Sequence, residues 1–140
     1  LLASFVFQDA YGSDEKVAAK AKKTFEMEFP GALTPKWEKI PNSSAYSVRF
    51  VYKNQALVSY IDEDGTVLAI VRCIRSESLP FRINETYDRK YGSYKLSSIE
   101  ELNSENEISY LFSVENEKEK IYVRIFQNGS FNEIRRQRLN

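Results

Sequence analysis

The chain has 140 residues, and its 20 Lys and Arg balance its 20 Asp and Glu, so the formal net charge is zero. It contains no histidine and one cysteine, Cys73, which excludes an intramolecular disulfide and any nucleophile activated by histidine. The neutral charge argues against nucleic-acid binding, which normally requires a basic surface.

The chain begins with an apolar segment, Leu1–Phe7, for which two interpretations stay open. It is either the tail of a secretory signal sequence or a short strand that packs on the rest of the chain. We count residues 1–13 as an N-terminal leader segment. No apolar run reaches the ~18–20 residues that a membrane-spanning helix needs, so we expect no membrane span.

Residues 14–78 are predicted to form one helix followed by four strands. Ser13 is a favourable N-cap, and an apolar residue recurs at every fourth position from Val17 to Phe29. Pro30 then ends the helix. The strands that follow are separated by short polar turns, which indicates a set of antiparallel hairpins.

The turns predict the register of the first set of strands. A turn at Asn54-Gln55 places Phe50 opposite Ser59. A two-residue turn at Asp64-Gly65 places Ile61 opposite Leu68. Both registers put the same apolar side chains on one face, and a slip of one residue would invert that pattern.

Residues 79–140 are predicted to repeat the same unit, with a helix that starts near Pro80 and stops at Gly92. A constant offset in the helical part of the two units aligns Phe25 with Tyr87. A slightly larger offset in the later strands aligns Gly65 with Gly129. A loop of different length accounts for the change of offset.

The second set of strands gives independent registers. A four-residue loop at Asn116–Glu119 places Phe112 opposite Val123. A two-residue turn at Asn128-Gly129 places Val123 opposite Ile134. We therefore predict an α+β fold in which two tandem α-β-β-β-β units form one curved antiparallel sheet with the helices on one face.

The opposite sheet face, here called the outer face, is the candidate binding surface. In the first unit it is apolar, so both faces of these strands need a cover. In the second unit it combines aromatic and basic side chains. The candidate protein-binding residues are Val58, Tyr60, Val67, Val71, Tyr122, Arg124, Phe131 and Arg135.

Other candidate sites have simpler explanations. Asp62–Gly65 resembles part of a calcium loop but lacks its terminal glutamate, so a hairpin turn is favoured. Cys73 is expected to be a small buried hydrophobe. Trp37 is expected to anchor the helix to the sheet, and an interface hot spot is the alternative. We expect no enzyme, metal or cofactor.

The residues resemble the PepSY-like family, which is related in fold to the β-lactamase inhibitor protein. The resemblance covers residues 14–138, and its most specific part runs from Phe29-Pro30-Gly31-Ala32 to Trp37. It continues in the second half with Leu79-Pro80 and a helix that ends in Tyr91. It implies exported bacterial proteins, hence a periplasmic or secreted location, with a BLIP-like fold and no established activity.

These observations predict an exported, non-catalytic binding module that engages or inhibits a protein or cell-envelope component through the outer face. The alternative is a self-associating structural domain, a homodimer with no foreign ligand. A fold shared with an inhibitor does not by itself assign a function.

Overall fold

The structure, a computed structural model, describes residues 16–140. The chain forms two compact units, an N-terminal unit that ends at Val71 and a C-terminal unit that begins at Arg72. The leader segment 1–13, with both interpretations of Leu1–Phe7, lies outside the described residues.

The elements follow one another as a helix and four strands, and then again as a helix and four strands. The first set is α1 (Ala19–Glu28), β1 (Leu33–Lys39), β2 (Ala45–Tyr52), β3 (Gln55–Asp62) and β4 (Val67–Cys73). After a short 3-10 helix, the second set is α2 (Phe81–Tyr91), β5 (Lys95–Ser104), β6 (Glu107–Glu115), β7 (Glu119–Phe126) and β8 (Phe131–Arg138).

The eight strands are hydrogen-bonded in chain order, from β1 to β8, in one antiparallel sheet. The α+β class with an antiparallel sheet and two helices is therefore confirmed. That the two halves are copies of one unit, with boundaries at 14–78 and 79–140, stays a prediction.

The first helix begins later than predicted. Ala18 is its N-cap, with ψ 136° and no capping side chain, and the predicted N-cap Ser13 lies outside the described residues. Instead, the Ala18 N–H donates a hydrogen bond to the Tyr46 hydroxyl at 3.3 Å, and Val17 packs against the core outside the helix. This tertiary contact, which local sequence does not reveal, satisfies the backbone N–H at the N-cap of α1.

Each helix packs on the strands of its own unit through aromatic and aliphatic side chains. The N-terminal core contains Ala21, Phe25, Phe29, Tyr46, Val48, Phe50, Leu57 and Ile61. The C-terminal core contains Ile83, Tyr87, Tyr91, Ile99, Tyr110, Phe112, Val114, Ile121, Val123 and Ile125. The apolar residues that recur at every fourth position, Ala21, Phe25 and Phe29, lie in the N-terminal core.

Two of the predicted strand registers place the side chains on the sheet faces that the structure shows. Phe112 lies opposite Val123, as predicted. Phe50 lies opposite Leu57 rather than Ser59, because the tight turn is Lys53-Asn54, where both residues have positive φ (50° and 64°). The difference amounts to two residues of register, so every side chain of β2 and β3 stays on its predicted face.

The turns before β4 and β8 are one residue longer than predicted. In the second, the Gly129 N–H donates to the Phe126 carbonyl, and the Phe126 N–H donates to the Ser130 carbonyl. Gly129 has φ +87°, and this geometry is a type I turn followed by a glycine bulge. Asp62–Thr66 has the same two hydrogen bonds, and Gly65 has φ +90°.

Because each turn has one extra residue, the first side chains of the following strand lie on the sheet face opposite to the predicted one. Phe131 lies opposite Ile125 and packs against the C-terminal core. Val67 packs against the N-terminal core. The outer-face positions predicted for Val67 and Phe131 are therefore wrong.

In β8 the inversion extends only part of the way along the strand. Val123 lies opposite Glu133, not opposite Ile134 as predicted. A register shift between Tyr122 and Val123 then restores the predicted pairing, so Tyr122 lies opposite Arg135. Arg135 therefore keeps its predicted place on the outer face.

A threonine on each helix holds the corresponding turn. The Thr24 hydroxyl donates to the Gly65 carbonyl at 2.7 Å, and the Thr86 hydroxyl donates to the Gly129 carbonyl at 3.2 Å. The two glycines are an aligned pair of the sequence repeat, and the offset that aligns the two helices also aligns the two threonines. The two threonines are not among the predicted residues, although that offset matches them as identical residues.

Candidate binding surfaces

The outer face of the N-terminal unit is buried. Val58 and Tyr60 alternate with the core residue Leu57 along β3 and so lie on the predicted face, but they are only 7% and 6% exposed. Val71 is 2% exposed. Their role in binding stays a prediction, and it would require these side chains to become accessible.

The outer face of the C-terminal unit has an accessible row of aromatic and basic side chains. We call the four alternate residues Lys120, Tyr122, Arg124 and Phe126 the β7 strip. All four are partly exposed. Arg135, which is exposed, lies directly opposite Tyr122 on β8. Of the predicted residues, Tyr122, Arg124 and Arg135 are thus brought together.

The cations of the β7 strip are held over its aromatic rings. The Lys120 ammonium lies 5.4 Å from the centre of the Tyr122 ring, and the Arg124 guanidinium lies 4.6 Å from the centre of the Phe126 ring. Such contacts restrict the side chains and contribute about 0.5–1 kcal/mol each at exposed sites. Phe126 is not among the predicted residues, although its alternation with Tyr122 and Arg124 along one strand is visible in the sequence.

Polar contacts from β6 further orient Arg124. Its Nε donates to the hydroxyl of the fully buried Ser109 at 2.9 Å, and its guanidinium lies 3.7 Å from the Glu107 carboxylate. The Arg124 side chain retains 18% exposure. A cation fixed in this way loses little conformational entropy when it binds an anionic group.

The helix side of β8 carries a network of ionic hydrogen bonds. Arg136 donates to Glu119 (2.8 Å) and to Glu133 (2.6 Å), while the Tyr91 hydroxyl donates to Glu133 (2.9 Å). The hydrogen bond from Arg136 lowers the pKa of Glu133. Burial, and then the bond to Glu133, raise the pKa of Tyr91 to about 12. This network fastens the edge strand β8 to the helix side, so it orients the strand that carries Arg135.

Glu100 is a buried acidic residue on the outer face of the C-terminal unit. It lies opposite Leu111, is only 8% exposed, and its Oε2 has no hydrogen-bond partner. Burial raises the pKa of this carboxyl to about 7. Glu100 lies within β5, so its side chain is held by the sheet.

Cys73 is exposed, so the prediction of a buried cysteine is wrong. It is the last residue of β4, where the side chain is no longer enclosed. Partial burial and, to a smaller extent, the charge of Glu100 raise the pKa of its thiol. A raised pKa reduces the fraction of reactive thiolate at neutral pH.

The predicted hairpin at Asp62–Gly65 is confirmed as a turn. Asp64 Oδ1 accepts a hydrogen bond from the Thr66 N–H at 3.0 Å, which lowers the pKa of the carboxyl. Within residues 16–140, no three metal-binding side chains of the His, Cys, Asp or Glu type lie close together. In the same part of the chain, no helix combines the length and apolarity needed to cross a membrane.

The fold is shared with solved structures of Bacteroides proteins. No protein-family model and no curated protein matches the chain. A DUF2874 family protein of Bacteroides ovatus superposes with a TM-score of 0.76 at 10% identity, over 89% of both chains.

Two further solved structures show the same fold. A Bacteroides eggerthii protein that is provisionally described as periplasmic has a TM-score of 0.74 at 11% identity, over 92% of this chain and 90% of that chain. A BLIP-like protein of Bacteroides fragilis has a TM-score of 0.69 at 14% identity, over 86% and 84% of the two chains. The resemblance to a BLIP-like fold is thus confirmed, and these identities support a statement about the fold alone.

Proposed function

We propose that this protein is an exported, non-catalytic module that binds an acidic surface of a partner protein through the β7 strip and Arg135. The observation that carries the proposal is the row of partly exposed tyrosine, phenylalanine, lysine and arginine side chains held in fixed geometry. Tyrosine and arginine are among the side chains most often found at interface hot spots. Side chains that are already ordered bind with a smaller entropic cost.

The charges of this surface favour an anionic partner. Lys120, Arg124 and Arg135 supply three positive charges on the outer face. Of these charges, Arg124 is paired with the Glu107 carboxylate. The solved structures with the same fold agree with an exported, non-catalytic protein, because one is described as periplasmic and none of the three is named for an enzymatic activity. A PepSY-like classification is part of this proposal.

We also infer that the chain arose by tandem duplication of an α-β4 unit. The repeated helix-to-turn hydrogen bond supports this, because Thr24 and Gly65 in one half correspond to Thr86 and Gly129 in the other. In this interpretation the two outer faces have diverged. One is apolar and buried, and the other carries the β7 strip.

The first test uses charge reversal on β8. The protein and two variants are immobilised, and exported proteins from the source organism are bound at increasing concentration. Arg135→Glu is expected to weaken saturable partner binding at least about tenfold, since it places a like charge against an acidic surface. Arg138→Glu is the matched control, because it makes the same change on the same strand opposite Glu119, on the helix side, and should alter binding less than about twofold.

Two further measurements complete this test. Binding to the unchanged protein should weaken as salt is raised, because exposed charges are screened. Equal binding by the two variants, or no saturable partner at all, would contradict the proposal. Thermal unfolding separates loss of binding from loss of folding. Arg135→Glu should match the unchanged protein, because Arg135 is exposed, whereas Arg138→Glu places a like charge opposite Glu119 and should lower the melting temperature slightly.

Self-association stays a prediction, and concentration-dependent sedimentation measures it. The substitution Tyr60→Glu would not test self-association, because Tyr60 is 6% exposed and a charge at this position would destabilise the fold. A dimer that persists in Arg135→Glu would favour self-association through another surface.

A further inference from the structure

The N-terminal unit contains a cavity of about 470 Å³ between α1 and the start of β1. Phe25, Phe29 and Trp37 form its aromatic part, and Gly31, Ala32 and Pro35 line the loop side. The volume is within the range of small-molecule sites, which are typically about 300–1,000 Å³. Most of these residues belong to the segment of the sequence with the most specific family resemblance.

The aromatic part of the cavity is closely packed. Phe25 and Trp37 meet edge to face with ring centres 5.4 Å apart, and Phe25 meets Phe50 in the same way at 4.9 Å. Phe25 and Phe29 are only 6% and 7% exposed, while Trp37 is partly exposed. The cavity therefore presents an apolar wall that includes one partly exposed indole ring.

The backbone beside the cavity is strained. Thr34 has φ +48°, a left-handed conformation that is unfavourable for a β-branched residue and more so for one that precedes a proline. The register between Leu33 and Lys36 is interrupted at this point, and Pro35 lines the cavity. Strain of this kind is concentrated at ligand sites, where the surrounding structure maintains it.

Two opposite charges lie at the edge of the cavity. Lys22 and Glu26 are four residues apart on α1, so they lie on the same side of the helix, and both line the cavity. Within the described part of the chain, neither forms a salt bridge. An apolar wall beside one cation and one anion is complementary to a zwitterion with a large apolar group.

We propose that this cavity binds a zwitterionic small molecule of the amino-acid type with an aromatic or large aliphatic side chain. The apolar group would lie against Phe25, Phe29 and Trp37. The carboxylate of the ligand would face Lys22, and its ammonium group would face Glu26. The site belongs to the N-terminal unit and does not depend on the proposed function of the β7 strip.

Trp37 makes the proposal directly testable, because it is the sole tryptophan of the chain. Its fluorescence, excited where only tryptophan absorbs, is recorded while L-phenylalanine is added to the full chain. We expect saturable quenching or a blue shift, with a Kd on the order of 1 mM, which is ordinary for a ligand of this size. Phenethylamine and 3-phenylpropionate, which each lack one charge, should bind at least about threefold more weakly.

Charge-removing variants test the proposed orientation. Lys22→Gln and Glu26→Gln are each expected to weaken L-phenylalanine binding about two- to fivefold. Lys23→Gln and Glu28→Gln are matched controls on the same helix, because these exposed residues do not line the cavity, and they should leave binding unchanged. Isothermal titration calorimetry repeats the measurement without relying on the indole.

Several results would overturn the proposal. One is the absence of saturable binding at concentrations about tenfold above the expected Kd. Another is that the singly charged analogues bind as tightly as L-phenylalanine. A third is that the variants of cavity-lining residues and the control variants change binding equally. Binding of L-phenylalanine that persists in Arg135→Glu, together with loss of partner binding in that variant, would show that the two surfaces act separately.

Discussion

Replacement of Glu100 by glutamine is expected to stabilise the protein at alkaline pH and to have little effect at mildly acidic pH. The pKa of this carboxyl is about 7 in the folded chain against an ordinary value of 4.5, because burial disfavours the charged form. Folding therefore favours the protonated acid. Stability is greatest below the unfolded pKa and falls as the pH rises through the folded pKa.

The difference between the two pKa values corresponds to a penalty on the order of 3 kcal/mol once the folded carboxyl is ionised. Glutamine removes the charge at every pH but leaves a buried polar group with few partners, as the unpartnered Oε2 of Glu100 indicates. We therefore expect Glu100→Gln to raise the free energy of unfolding by about 2 kcal/mol at about pH 8, and by less than about 1 kcal/mol at about pH 5.

Urea unfolding at both pH values measures this effect. Glu101→Gln is the matched neighbour, because Glu101 faces the helix side and accepts hydrogen bonds from Arg72 at 2.9 and 3.2 Å. That variant should lose stability and show no gain at alkaline pH. If Glu100→Gln shifted stability equally at both pH values, an ionised Glu100 would not be the cause.

A methyl group at Gly65 is expected to destabilise the N-terminal unit more than the same change at Gly129 destabilises the C-terminal unit. Both glycines have left-handed backbones, with φ +90° and +87°, which costs an alanine about 1–2 kcal/mol. A Cβ at Gly65 would lie 2.7 Å from Thr24 Oγ1 and 3.1 Å from the Lys20 carbonyl oxygen. At Gly129 the nearest atoms are 3.3 Å away, and one belongs to the flexible Arg82 side chain.

We expect a loss of about 3 kcal/mol for Gly65→Ala and about 1.5 kcal/mol for Gly129→Ala, measured by urea unfolding. A double-mutant cycle isolates the contact. Thr24→Ala in the Gly65→Ala background should recover about 1 kcal/mol relative to the sum of the single changes. Equal losses at the two glycines, with no coupling to Thr24, would show that backbone conformation alone sets the cost.

The sequence predicts the strand faces well wherever the turn has a single interpretation. The loop at Asn116–Glu119 gives the observed pairing of Phe112 with Val123. The turn before β3 is displaced, and the resulting error of two residues in register preserves the faces because side chains alternate with a period of two.

The predictions fail at the two glycine turns for a specific reason. Asp-Gly and Asn-Gly occur both in two-residue turns and at the end of longer turns with a glycine bulge. The choice here coincides with tertiary hydrogen bonds from Thr24 and Thr86 to the glycine carbonyls. Those bonds join residues far apart in sequence, with separations of 41 and 43, so no local pattern reveals them. For this reason the predicted sheet faces of Val67 and Phe131 are wrong.

The candidate surfaces could likewise be predicted from the sequence only in part. Tyr122, Arg124 and Arg135 could be predicted to lie together, because alternation along β7 and pairing with β8 are regular at that point. The burial of Glu100 and the aromatic cavity could not, because each depends on how side chains from separate elements enclose a volume.

The neutral charge, the missing histidine and the single cysteine by themselves excluded whole classes of chemistry, because those depend on residue types and not on positions. Apolar periodicity likewise determined the order of helices and strands. Only the tertiary structure decided which outer-face side chains are accessible, where Thr34 strains the chain, and that Lys22 and Glu26 border an aromatic cavity. These properties arise from packing between residues distant in sequence, which leaves no periodic trace in the chain.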